Sequence, residues 1–156
     1  MTPVRGTLVR PILAWVMLLA GFAAIAGSFL PWAYIDFPAE GRSQVSGSLV
    51  SDLITAFFGV VLAGYAVPVL RGERLPIPET VVATGSGLIL VLLAAWDSRH
   101  LLSMTAALVA DDTGAGTGPG LWLCGIGGLA GAIAALALAG THRRTDQNRI
   151  SAASGR

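Results

Sequence analysis

Four stretches of this chain are long, oily and nearly free of charge, and such a chain has few ways to fold. One of them, Gly118 to Gly140, reads GPGLWLCGIGGLAGAIAALALAG, 23 residues without an Asp, Glu, Arg or His. As a helix it rises 1.5 Å per residue, about 34 Å in all, which crosses a hydrocarbon core of about 30 Å. The other three runs cover about 12–33, 49–70 and 79–97. Inside a bilayer each backbone N–H and C=O must find its partner within the segment, so each run is expected to be a helix. The expected fold is therefore all-α: a polytopic membrane protein forming a four-helix transmembrane bundle. Residues 1–142 make its single domain, and 143–156 are read as a disordered cytoplasmic tail.

Composition agrees. Only 12% of the 156 residues are charged, where a soluble domain carries about 25%. The net charge of +1 and the lack of a clustered basic face argue against nucleic acid as a partner. Cys124 is the single cysteine, which excludes an internal disulfide and any paired-cysteine metal or redox motif.

Taken in order, Arg5 and Arg10 precede Pro11, which a first helical turn tolerates. The run from Ile12 goes on past Ala24-Ile25-Ala26, a possible leader-cleavage motif, to Trp32. It outlasts the 7–15 apolar residues of a signal peptide, so it is read as a retained helix. Leu30-Pro31-Trp32 ends it, and Trp32, Trp96 and Trp122 are expected as belt anchors at one membrane face, with Trp15 at the other. The segment Asp36–Ser48 is a polar loop with some extended character around Gln44-Val45-Ser46. Ser48 or Ser51 is a possible cap for the second helix, whose last turn holds Pro68. The run Leu101–Val109 is too short to span; it is either a short interfacial helix before the last span or an extension of the third helix.

Arginine placement sets the expected orientation. The N-terminus, the 71–78 turn and the C-terminal tail hold two, two and four Arg, against one each, Arg42 and Arg99, in the other two loops. The positive-inside rule places both termini in the cytoplasm of a multi-pass cell-membrane protein. The acidic loops, carrying Asp36, Glu40, Asp97, Asp111 and Asp112, then face outward.

Small residues one turn apart point to helix packing at Gly59 with Ala63 and at Gly127 with Gly131. These pairs seat helices within one chain or between two copies; tethering favours the first, and a homo-oligomer stays open. The chemistry is sparse. No span carries a charge at its middle, and motifs for metalloproteases, serine hydrolases and phosphate-binding loops are absent. His100 and His142 fall on opposite sides and cannot share a metal. No catalytic residue, metal or cofactor is expected. The candidate binding residues are Asp52, Asp97, Arg99 and His100, all near the outward ends of helices. They form either a small polar site for an ion or headgroup, or ordinary interfacial charge with an Asp–Arg pair tying loops down.

Leu30-Pro31-Trp32, Ser46-Gly47-Ser48, Arg71-Gly72 and Gly118-Pro119-Gly120-Leu121-Trp122 carry a resemblance. Over about residues 11–142 the chain is similar to small actinobacterial four-helix membrane proteins of unknown function, in particular the tryptophan-operon-associated hypothetical membrane protein family. That family has no assigned activity, so the resemblance implies a fold and no functional residue. The expected role is a non-enzymatic accessory or assembly subunit of a larger cell-envelope complex, with membrane lipid and a membrane protein as partners. The alternative is a small transporter or a lipid- or ion-binding module with an outward-facing polar site.

Overall fold

The computed structural model describes residues 5–37, 41–46, 49–73, 75–108 and 114–154. Among them are four helices: α1 (Arg5–Phe29), α2 (Leu49–Leu70), α3 (Ile77–Leu108) and α4 (Pro119–Ser154). Each contains a stretch long and apolar enough to cross a membrane: Val9–Phe29, Leu49–Leu70, Ile77–His100 and Pro119–Gly140. The chain is a multi-pass membrane protein with an all-α four-helix bundle. Glu40, Gly47, Ser48, Arg74, Asp111, Asp112 and Arg156 lie outside the described residues.

The helices form a closed ring in which α1 packs on α2 and α4, α4 also packs on α3, and α3 closes loosely on α2. The core is made of small side chains. Ala14, Ala66, Ala83 and Ala135 are fully buried, while Leu19, Phe22, Phe57, Leu92 and Ile126 point outward. This inversion suits lipid, which offers large apolar side chains no reason to hide.

Three of the four seams are closed by glycine against backbone. A methyl group on Gly21 of α1 would sit 2.6 Å from the Gly59 oxygen and 2.7 Å from the Ala63 nitrogen of α2. One on Gly127 of α4 would sit 2.9 Å from the Ala20 oxygen of α1, and one on Gly131 would overlap Leu62. Between α3 and α4, Gly87 would meet the Gly128 oxygen at 2.7 Å and the Ala132 nitrogen at 2.8 Å. Both packing pairs singled out in the sequence therefore lie inside the chain.

A small sheet crosses one end of the bundle, hereafter the sheet end; the other is the tail end. Its strands are β1 (Ala33–Phe37), β2 (Gly41–Val45) and β3 (Gly114–Thr117), in the order β2-β1-β3, with both pairings antiparallel. The helix α1 stops at Phe29 because Pro31 bars the preceding residue from helical geometry. The chain then turns straight into β1. The Trp32 nitrogen donates to the Val45 oxygen at 3.0 Å, and the Gly118 nitrogen donates to the Trp32 oxygen at 2.6 Å. A side chain at Gly118 would overlap the Pro31 carbonyl, so glycine there lets the start of α4 rest on the end of α1.

Three sequence expectations change and one open alternative is resolved. The first span ends at Phe29 rather than near 33, since Ala33 belongs to β1. Trp32 is no belt anchor: it is 2% exposed, packs near Ala94, Leu121 and Cys124, and donates its indole N–H to the Gly27 oxygen at 3.2 Å. Trp15, Trp96 and Trp122 are exposed. Residues 101–108 continue α3 rather than form a separate interfacial helix, as nothing after His100 breaks the helix. The tail is helical to Ser154 instead of disordered: 141–154 contains no Gly or Pro to stop the helix that enters from the span.

Two glycines separate packing from mere presence. Gly87→Ala is expected to lower stability by about 1–3 kcal/mol, since a backbone on α4 must move. Gly85→Ala, where nothing lies within 4 Å, is expected to stabilise by up to about 1 kcal/mol. Thermal unfolding in detergent, followed by tryptophan fluorescence, checks both.

Candidate functional site

The polar residues of the sheet end fall into two groups, and the fold decides which belong together. Register pairs Asp36 of β1 with Arg42 of β2. The Arg42 Nε donates to Asp36 Oδ1 at 2.7 Å and its Nη2 donates to Oδ2 at 3.3 Å. The same guanidinium lies over the Tyr34 ring, 5.4 Å from its centre. Arg42 is thus engaged by the sheet.

The second group forms between helices. Asp52 sits in the first turn of α2, and Asp97 about three turns before the end of α3. Their carboxylates are close enough to interact electrostatically. The Ser51 hydroxyl donates to the Asp97 carboxylate across the seam, so Ser51 links two helices rather than capping its own. Asp52 is also within electrostatic range of Cys124 of α4. Cys124 itself is 1% exposed and its Sγ lies 3.7 Å from the Ala24 oxygen.

Beneath the pair lies Thr55, 1% exposed. It follows Asp52 by three residues and Ser51 by four, so all three share a helix face. Thr55 also continues the buried face of α2 that runs through Gly59, Leu62 and Ala66. Asp52 Oδ1, Asp97 Oδ2 and Thr55 Oγ1 are each shielded from solvent and have no hydrogen-bond partner among the described residues.

Of the four candidate binding residues, the fold brings together Asp52 and Asp97, with His100 at the edge. His100 follows Asp97 by three residues, is exposed, and lies within electrostatic reach of it. Arg99 follows by two, which turns it to another face, and it too is exposed. His142 lies on α4, where its side chain is outside the described residues. Reading the sequence alone missed Ser51 and Thr55 as members. Their signal was present: they are the only hydroxyl residues in the first two turns of α2, at the spacing that shares a face with Asp52.

No family model matches the chain, and neither a curated protein nor a solved structure matches it. What the site can do therefore follows from its own chemistry. The groups present are carboxylate and hydroxyl oxygens, the donors preferred by hard cations. Among the described residues no group of three or more His, Cys, Asp or Glu could hold a metal ion, so the hydroxyls would have to complete any coordination shell. Two like charges at a membrane boundary repel unless a cation or a proton lies between them.

Two outcomes test this geometry. Thr55→Val keeps the shape and removes a buried hydroxyl with no partner, so it is expected to stabilise the ion-free protein by about 1 kcal/mol in thermal unfolding. In the sheet, the hydrogen bond and charge of Arg42 hold the Asp36 carboxyl below its ordinary value of 3.8. A depressed folded-state value contributes stability that is present above 3.8 and is lost as the pH falls through the lower folded value. Carboxyl carbon NMR of Asp36 should show a low midpoint that Arg42→Gln returns toward 3.8. The pair is exposed, so the effect on global stability is small.

Proposed function

We propose that this is a non-enzymatic protein of the cell membrane that takes up a small hard cation at its outward face, between Asp52 and Asp97. The observation that supports it most is the convergence of the two carboxylates, each with a buried oxygen lacking a partner, above the unpartnered Thr55 hydroxyl. Buried polar groups are nearly always satisfied, and an exception calls for an ion, a water or a function. A hard cation with oxygen ligands would meet all three atoms at once. The arginine-poor sheet end faces outward in this reading, and the tail end with Arg10 and Arg71 faces the cytoplasm.

The second reading is an accessory subunit of a membrane complex. Its carrier in the sequence was the small-residue faces, yet Gly59, Gly127, Gly128 and Gly131 are filled from within the chain. What favours it now is an apolar groove of about 410 Å³ between α3 and α4, running from Ser98, Thr117 and Trp122 down to Leu129.

Calorimetry on the protein in lipid nanodiscs decides between them. Calcium chloride is expected to bind saturably, and sodium chloride to compete. Asp97→Asn should weaken binding about tenfold or more, the loss of roughly 1.4 kcal/mol or more of interaction with one charge. Absence of saturable binding up to about 1 mM, the weak end for extracellular calcium modules, would remove the cation reading. Stoichiometric co-purification of a membrane protein would then favour the subunit.

A further inference from the structure

We propose that the apolar groove between α3 and α4 holds one acyl chain of an anionic phospholipid, with the lipid phosphate on Arg99. The site is separate from Asp52 and Asp97, and it does not depend on the cation reading.

The depth of the groove decides what can fill it. Its volume is about 410 Å³, within the usual range for a pocket that takes one small ligand. On α4 it ends at Leu129, the eleventh residue of the 22-residue span Pro119–Gly140. On α3 it ends at Val91, the tenth residue back from His100 in the 24-residue span Ile77–His100. Both limits therefore fall near the middle of the bilayer. From Leu121 to Leu129 the helix rises about 12 Å. One leaflet of hydrocarbon is about 15 Å deep, half of a core of about 30 Å. A partner's transmembrane helix would need a trough along the whole core, whereas a lipid tail needs one leaflet. The groove fits the tail.

Its shape comes from small residues. Elsewhere the outer surface of the bundle carries large side chains such as Leu92, Trp96 and Ile133. Here it is formed by Ala95 of α3 and Gly125 of α4, beside a ridge of Trp122, Ile126 and Leu129. The two helices touch at the floor, where a methyl group on Gly125 would sit 3.5 Å from the Ala94 Cβ. At the deep end Gly87 on Gly128 sets the helix spacing at backbone contact. The trough is thus preformed, and a ligand entering it does not have to order the protein first.

The mouth is polar. Ser98, Thr117 and Trp122 line the end nearest the sheet. The Trp122 indole N–H donates to Thr117 Oγ1 at 3.2 Å, which holds the ring as a wall at headgroup depth. Ser98 gives its hydrogen to the Ala95 oxygen at 2.8 Å. The Thr117 hydroxyl accepts the indole bond and keeps its own hydrogen for a lipid ester oxygen. Arg99 follows Ala95 by four residues, so it stands one turn above it on the same side of α3. It is exposed, and among the described residues no carboxylate pairs with it. Asp97 is turned the other way, to Ser51 of α2. A free guanidinium above an apolar slot one leaflet deep complements an anionic phospholipid in charge and in length.

The test uses phosphatidylcholine nanodiscs in EDTA, so that no divalent cation bridges lipid to Asp52 or Asp97. Phosphatidylglycerol with brominated acyl chains is added in steps, and brominated phosphatidylcholine in a parallel series. Tryptophan fluorescence is read in the Trp15→Phe, Trp96→Phe double variant, where Trp122 is the exposed reporter. Half-maximal quenching by the anionic lipid is expected at about a fivefold lower mole fraction, the attraction of one arginine for an anionic headgroup. Arg99→Gln should bring the two curves together. Ala95→Phe, which fills the trough from its exposed side, should do the same at an unchanged melting temperature. Soluble glycerol phosphate should displace nothing, since it lacks the tail. Coincident curves before either substitution would overturn the proposal, as would a preference that survives both. A membrane protein that co-purifies stoichiometrically and shields Trp122 from both brominated lipids would overturn it in favour of a partner helix.

Discussion

Glycine pressed against a neighbouring backbone is the contact on which the rest of this bundle depends. In water, burying leucine and phenylalanine would draw helices together; in lipid those side chains gain nothing by turning inward. The attraction left is dispersion, which falls steeply once surfaces separate by even half an ångström. Gly21 on Gly59, Gly127 on Ala20 and Gly87 on Gly128 supply that closeness. The large apolar residues stay outside, where acyl chains surround them.

That device has a consequence for the polar end. With α1, α2 and α4 held close, the start of α2 is brought beside the Asp97 turn of α3. Pro31 stops α1 one turn short of where the oily run ends, and the freed segment becomes the central strand of the sheet. The backbone bonds from Trp32 to Val45 and from Gly118 to Trp32 then tie two loops to the top of the bundle. The sheet takes Arg42 for Asp36. Among the described residues this leaves Asp52 and Asp97 with no arginine partner and only the exposed His100 near Asp97, and it is why a cation from outside is the proposed counter-charge.

The site was half legible beforehand. Asp52 and Asp97 stood out because charge near the end of an oily run is conspicuous. Their meeting was not legible, since nothing in a linear pattern says which pair of four helix ends will be neighbours. Thr55 was overlooked because a lone threonine in an apolar helix is common and normally bonds its own backbone. It matters only because this one does not. Arg99 shows the opposite failure: its nearness in sequence to Asp97 suggested a shared role, but two residues along a helix point to different faces.

Run length and charge alone determined the number of spans, their approximate limits and the residence in a membrane, because a backbone in hydrocarbon has no option but the helix. The tertiary structure decided what periodicity could not. It showed that Trp32 is buried, that a strand follows α1, that the glycines are satisfied within the chain, and that one seam of four is left loose. The reason is physical: solvation by lipid acts on each segment separately and is written in its composition. Close packing acts between segments distant in the chain, and it exists only once both are in place.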